Sequence, residues 1–357
     1  VTGSAPPLLH PTSSTTSSLA TRRRRKGFMA FAEDTPAMSA LRLSFKSPIS
    51  ALTAITVVVF IAFVAISTIP AAAVGEIGEA DDAPAESEGF ATVGDTRMYY
   101  EIHGEGEPLL MIMGLGGHIL DWGWVLPEKL AEVRQVIVFD NRGAGRSDQP
   151  VGPYSIAEMA NDTVGLLASL GIERADVFGV SMGGMIAQEM AVRHPERINR
   201  LILGATSPGG DAQILAPPEV QAYLEPRLDL TLHEALWWSV PAGFPQEFID
   251  GHPDIVERKV QANMAYPSSL EAYRAQLAAY RAFEIGDRIS EIRAPTLVMA
   301  GDSDILIPPE NGRILAEKIP GAEFRSIEGA GHLFWISHPN ETYSAVAEFL
   351  EGNETLG

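Results

Sequence analysis

Residues 179–184 read Gly-Val-Ser-Met-Gly-Gly, directly after a short apolar run at 175–178 and at the head of an amphipathic stretch. That pattern fits a strand, a tight turn bearing a serine, and a helix, in that order. A serine on such a turn sits at the helix N-terminus with its Oγ exposed. The flanking glycines let the backbone fold sharply while strand and helix approach closely. In a chain with 33 glycines the hexapeptide alone is a weak signal, because an ordinary Gly-rich turn reads the same way. Its meaning depends on whether the other parts of a hydrolytic site follow it in order.

The surrounding pattern is that of an α/β protein. Apolar runs at 108–113, 135–139, 175–178, 198–203 and 296–300 suit parallel strands buried on both faces. Segments 90–93 and 98–103, joined at Gly94-Asp95, read as an N-terminal hairpin, and 323–327 reads as the last strand. Helical patterns at 156–170, 182–193 and 339–350 alternate with these strands. The class is therefore α/β: a doubly wound, mostly parallel sheet flanked by helices. Between about 207 and 287 the alternation breaks, and 219–224, 233–238, 254–264 and 269–283 are all helical in pattern. This divides the body into a core at 89–207 and 287–352, an inserted helical cap at 208–286, and a tail at 353–357.

Charge and composition bound the partners. The net charge is −20, but residues 1–50 hold seven basic and two acidic groups, so the remainder carries −25. A body so acidic repels a phosphate backbone, which argues against a nucleic-acid partner. The absence of cysteine excludes disulfides, thiol catalysis and cysteine-ligated metals. Residues 1–48 form a basic leader without periodicity, expected to be disordered. Residues 51–68 are almost uninterruptedly apolar, with Arg42 and Lys46 upstream and Pro70-Ala71-Ala72-Ala73 downstream. Segment 49–74 is thus expected to be a transmembrane anchor or a signal peptide cleaved near Ala73, with Met38 an alternative start. An acidic linker follows at 75–88. On this expectation the membrane is a partner through 51–69 if uncleaved, and the body lies outside the cytoplasm, anchored or secreted.

A serine is a poor nucleophile at neutral pH and needs a base, with a third group to orient that base. Of the eight histidines, His332 stands out: it follows Gly329-Ala330-Gly331, just after the last strand, where α/β sites gather. The acid is expected in Gly301-Asp302-Ser303-Asp304, after the strand at 296–300. Asp304 is preferred to Asp302, whose alternative role is turn bonding. Two backbone N–H groups must face a developing oxyanion. Met182 supplies one, and the glycine loop Gly114-Leu115-Gly116-Gly117 supplies the other through Leu115.

With these pieces the chain resembles the α/β-hydrolase superfamily, in its cap-bearing branch. The resemblance rests on Met113–Gly117, the run Phe139-Asp140-Asn141-Arg142-Gly143-Ala144-Gly145-Arg146-Ser147-Asp148, the serine turn, Gly301–Asp304 and Gly331-His332. They occur in the family order Ser…Asp…His and cover about 89–352. The sequence is similar to small esterases, enol-lactonase-like lactonases and cofactor-free haloperoxidase-like hydrolases. Many members carry His-Gly where this chain has Met113-Gly114, which removes a bracing side chain but leaves the backbone donor. The resemblance implies that 139–148 is architectural, that serine rather than aspartate is the nucleophile, and that neither metal nor organic cofactor is required.

The expected activity is hydrolysis of a small carboxylic ester or lactone. Alternatives are the same triad used on a peptide or C–C bond, or a ligand receptor without turnover. A prolyl aminopeptidase would need a cap acid for the substrate amine, and Glu219, Glu225, Glu234 and Glu247 are equivalent candidates in sequence. Trp122, Trp124, Trp237 and Trp238 either line an apolar pocket or belong to the core, and His118 either touches substrate or caps a turn.

Overall fold

The computed structural model describes residues 85–123 and 125–352. The chain divides into two units, Val1–Glu76 and Ile77–Gly357, and every described residue lies in the second. Eight strands form one sheet: β1 Ser87–Val93, β2 Thr96–His103, β3 Pro108–Ile112, β4 Gln135–Phe139, β5 Ala175–Val180, β6 Ile198–Gly204, β7 Thr296–Gly301 and β8 Glu323–Ile327. Their order is β1-β2-β4-β3-β5-β6-β7-β8. β2 is antiparallel to both β1 and β4, and every later pairing is parallel. The hairpin turns at Gly94-Asp95, where Val93 pairs with Thr96 and Gly94 takes φ +59°.

The apolar runs form central strands because successive side chains leave a strand on opposite faces. Leu110, Ile112, Ile137, Phe139, Val177, Leu201 and Leu203 enter one core cluster. Their neighbours Leu109, Met111, Val136, Val138, Phe178, Val180 and Ile202 enter the other. Helices α2 (Ile156–Ser169) and α3 (Met182–Arg193) cover the first face. Helix α1 (Val125–Ala131) and the C-terminal Pro339–Glu351 cover the second. Each fully buried Leu or Ile contributes about 1.5–3 kcal/mol, so two-sided burial is what fixes these strands. Ser155 caps α2, accepting from Glu158 N at 3.1 Å.

Between β6 and β7 the chain forms the helical insertion: a single turn at Pro218–Gln221, then α4 (Leu232–Gly243), α5 (Gln246–Gly251), α6 (Pro253–Ala265) and α7 (Leu270–Ala282). After β7 come α8 (Glu310–Lys318) and the C-terminal helix just named, α9. Two details differ from the sequence pattern. α4 runs past Pro241 to Gly243 rather than stopping at 238, and its terminal Gly243 carbonyl accepts from Leu333 N at 3.0 Å. Pro241 lacks the N–H that would reach the Trp237 carbonyl, so α4 continues through it with one helical bond fewer. α5, with six residues, is too short to show a period in sequence.

The membrane expectation is corrected. Among the described residues no helix is long and apolar enough to cross a membrane. The longest, α2, has 14 residues and carries Glu158 and Asp162. At about 1.5 Å per residue it spans about 21 Å, short of a hydrocarbon core of about 30 Å. The 1–48 leader, the apolar segment 49–74, most of the 75–88 linker and the 353–357 tail lie outside the described residues, so neither an anchored nor an exported protein is carried further.

Candidate active site

Ser181 joins β5 to α3 in a conformation rare for a side-chain-bearing residue, φ 56° and ψ −125°. The surrounding chain enforces it. Ser181 N donates to Gly204 O at 2.9 Å, and Thr206 Oγ1 donates to Ser181 O at 2.7 Å. A Cβ on Gly179 would lie 2.3 Å from Gly183 O, one on Gly183 2.1 Å from Ile112 O, and one on Gly184 2.6 Å from Thr206 Cβ. The glycines of the hexapeptide therefore admit β3 and the end of β6 against the turn. Holding a non-glycine residue there costs about 1–3 kcal/mol, strain of a kind that clusters at functional sites.

His332 and Asp304 come from the loops after β8 and β7. Both are buried, and His332 Nδ1 lies 2.8 Å from Asp304 Oδ2. The other carboxylate oxygen, Oδ1, accepts from Leu306 N and Ile307 N, each at 2.9 Å. Asp302 is exposed; it accepts from Ser303 Oγ in its own turn at 3.0 Å and from Gly329 N in the loop after β8 at 2.8 Å. The approach of the two loops depends on Gly301, where a Cβ would lie 2.3 Å from Ala330 O. Burial pushes the Tyr280 hydroxyl up to about 12, and the Asp304 carboxylate adds to the rise.

The loop after β3 closes the site. Gly114 packs on the serine, since a Cβ there would lie 2.9 Å from Ser181 Cβ. Gly117 N donates to Gly114 O at 3.2 Å, closing a turn over 114–117. In a trans peptide the carbonyl and N–H point oppositely, so the Leu115 N–H faces out of that turn. Met182 is the first residue of α3, where the N–H has no intrahelical partner and the helix dipole favours negative charge.

Ser181, His332, Gly114, Leu115 and Gly116 line one cavity of about 250 Å³. The cap side of its wall is largely apolar, with Leu236, Val240, Phe244 and Val260. Of the tryptophans singled out in sequence, Trp122, Trp237 and Trp238 are not in its lining. Trp122 is fully buried against Phe178 and Trp335; Trp237 donates to Glu257 Oε2 at 2.9 Å, and Trp238 packs on Tyr223. Trp124 lies outside the described residues. His118 is buried beneath the loop with neither ring nitrogen hydrogen-bonded, its edge against Tyr266. Instead the cavity wall takes Trp335, Tyr273 and a polar group, Asp121, Lys259 and Asn263, none of which a linear motif marks.

That polar group joins cap to core. Asp121 accepts from Lys259 Nζ at 2.6 Å, Asn263 Nδ2 at 2.7 Å and His118 N at 2.8 Å. Burial opposes its ionisation, but the Lys259 ammonium and His118 outweigh it and hold the carboxyl below the usual range. Within the 139–148 run, Arg142 is buried and bonds Asp162 Oδ1 at 3.0 Å and Glu158 Oε1 at 2.7 Å. That run is a structural brace.

Comparison with known proteins gives a consistent picture. The model of the alpha/beta hydrolase fold matches residues 107–339. A putative carbamate hydrolase, RutD of Azorhizobium caulinodans, is 33% identical over 252 residues, covering 70% of this chain and 94% of that protein. Among solved structures, Est816, an N-acyl homoserine lactone degrading enzyme, is 30% identical with a TM-score of 0.64, covering 72% of this chain and 99% of that one. The enol-lactonase of Burkholderia xenovorans LB400 is 27% identical with a TM-score of 0.65, covering 74% and 100%.

Proposed function

Because the chain belongs to the alpha/beta hydrolase family, we propose that it cleaves a small carboxylic ester or lactone through a triad of Ser181, His332 and Asp304. The single observation that carries this reading is the buried 2.8 Å contact between His332 Nδ1 and Asp304 Oδ2, with His332 sharing a cavity with the strained serine. It leaves Nε2 as the free basic position of the ring.

In this reading Ser181 Oγ attacks the carbonyl carbon while its proton passes to His332 Nε2. The carbonyl electron pair moves onto oxygen, where the Leu115 and Met182 N–H groups receive the charge. As the tetrahedral intermediate collapses, the C–O bond to the leaving alcohol breaks and His332 returns the proton to that oxygen. Water then attacks the acyl-serine, giving its proton to Nε2, and Ser181 leaves with it. Asp304 fixes the tautomer and balances the imidazolium.

Among esters and lactones, the apolar cap wall favours an uncharged chain or ring beside the scissile carbonyl. Est816 and the enol-lactonase act on lactones by their names, which makes a lactone ring a natural first substrate to test. The aminopeptidase reading lacks its acid: Glu219, Glu225, Glu234 and Glu247 are absent from the cavity lining, and Asp121 is committed to Lys259 and Asn263. The test combines a fluorophosphonate probe with turnover of p-nitrophenyl esters and small lactones. Labelling at Ser181, with both labelling and turnover lost in Ser181→Ala, is expected; activity retained in that variant would overturn the assignment.

A further inference from the structure

We propose that Gln276, on cap helix α7, is a positioning residue for the oxyanion hole: the cap aims the backbone donor as well as roofing the cavity. The proposal rests on the reading of Ser181 as nucleophile and Leu115 N–H as donor.

Two consecutive peptide planes shape the loop. The first, between Gly114 and Leu115, carries the proposed donor and is held by the Gly117 N to Gly114 O bond. The second, between Leu115 and Gly116, is held from the cap: Gly116 N donates to Gln276 Oε1 at 2.8 Å. Both planes meet at the Leu115 Cα. With the second plane fixed, the first turns only by breaking its own bond, so the Leu115 N–H keeps its heading.

Gln276 is itself over-determined. Its Nε2 donates to Arg142 O at 2.7 Å, and Arg142 is anchored in the core by Asp162 and Glu158. Flipping the amide would set N–H against N–H and oxygen against oxygen. The side chain is wholly buried, so water cannot replace either partner cheaply. Three residues earlier on the same helix face, the Tyr273 ring occupies the space a Gly116 Cβ would need, at 2.8 Å. Gly116 takes φ +66°, which a glycine tolerates. α7 therefore holds Gly116 by a hydrogen bond and by packing, and the adjoining peptide inherits that order.

A Gln276 that merely fastened the cap would affect stability and substrate binding; one that aims the donor affects the rate of the chemical step. The experiment measures kcat and KM for p-nitrophenyl acetate with the full chain, wild type against Gln276→Leu and Gln276→Glu, from about pH 5 to about pH 9, alongside thermal unfolding. Deleting an oxyanion donor outright costs about 10²–10³ in kcat, so misaiming one in Gln276→Leu is expected to cost about 10–100-fold with KM little changed. Gln276→Glu separates the roles further. Protonated, its carboxyl accepts from Gly116 N and donates to Arg142 O; ionised, it repels Arg142 O. The titratable groups around it are Arg142, paired to Asp162 and Glu158, the neutral Tyr273 hydroxyl on α7, and, on the loop side, Asp121 bound to Lys259. Burial raises a carboxyl's pKa, so activity relative to wild type at the same pH should climb as pH falls, from above the ordinary carboxyl range. An unchanged kcat in a folded Gln276→Leu, or a flat Glu-to-wild-type ratio across pH, overturns the proposal. If the leucine variant does not fold, the glutamate ratio decides. Wild type that neither labels at Ser181 nor turns over defeats the hydrolase reading instead, whereas active wild type with a flat ratio defeats only the role of Gln276.

Discussion

Replacing Asp304 by asparagine is the sharpest perturbation of the proposed triad. The carboxylate makes three contacts: Oδ1 with the N–H groups of Leu306 and Ile307, and Oδ2 with His332 Nδ1. In Asp304→Asn the two backbone donors hold the amide oxygen at the Oδ1 position. The NH₂ group then faces Nδ1, where it can only donate. The imidazole must place its lone pair on Nδ1 and its proton on Nε2, which leaves nothing to accept the Ser181 proton. The fold survives, because the amide keeps the backbone bonds and the shape. A wrong tautomer of this kind lowers kcat by about 10⁴ in a serine protease, or about 5.5 kcal/mol of barrier. Asp302→Asn is the control. Its oxygen accepts from Gly329 N and Ser303 Oγ, which an amide oxygen also does, so kcat should change by less than about threefold. The assay is kcat/KM on one p-nitrophenyl ester for both variants, with unfolding temperatures to exclude misfolding. Asp304→Asn within tenfold of wild type, or a larger loss in Asp302→Asn, refutes the reasoning.

Two further predictions concern stability. Ser181 pays for its geometry with φ 56°, so Ser181→Gly relieves strain that Ser181→Ala retains. The glycine variant should unfold about 2–4 °C above the alanine variant, the shift that about 1 kcal/mol gives in a domain near this size, and a lower value counts against stored strain. Lys259→Met leaves Asp121 buried with Asn263 and His118 N as its remaining donors, and should destabilise by about 3 kcal/mol near pH 7, the low end for a broken buried pair. The sign with pH follows from linkage. In wild type the Asp121 pKa is depressed, so its contribution is present above the unfolded value and lost as pH falls through the folded one. In the variant burial dominates and the carboxyl protonates early. The gap between the two proteins in urea unfolding should therefore narrow as pH falls toward about 4, and a gap independent of pH would place the loss elsewhere.

Where sequence and structure agree, the reason is local. The serine turn, the strand runs and the loop positions of Asp304 and Asp302 all follow from residues within a few positions of one another. Asp304 stands three residues past the end of β7, where its carboxylate turns inward and two following N–H groups meet it. Asp302 stands one residue past that strand and faces solvent. The cap side of the site was not legible for the opposite reason. Gln276 meets Gly116 across 160 positions, and Lys259 meets Asp121 across 138. Each is unremarkable in its own helix, where a polar residue at helical spacing reads as a solvated face. Aromatic type was equally uninformative. Trp335 reaches the cavity because its Nε1 donates to Asp121 O at 2.9 Å, whereas Trp122 turns into the core against Phe178. Nothing in the two side chains' chemistry distinguishes those fates; only the direction of the backbone at each position does.

The same long-range contacts separate two kinds of cap residue. Gln276 and Tyr273 on α7 grip Gly116, while Lys259 and Asn263 on α6 grip Asp121 just beyond the other end of the same loop. Leu236, Val240 and Phe244, on or next to α4, face the cavity without touching that loop through any hydrogen bond described above. Substrate shape can therefore change at Leu236 and Val240 without disturbing the 114–117 loop, whereas the end of α4 is itself tied to the His332 loop by the bond from Leu333 N to Gly243 O. Changes on α6 or α7 act on the loop that the proposed chemistry uses. On the proposed mechanism, α6 and α7 are constrained by the rate of the reaction, and the Leu236 and Val240 positions of α4 mainly by the form of the substrate. On that argument, substitutions at Leu236 and Val240 should change substrate preference with less effect on rate than substitutions on the two helices that hold the loop.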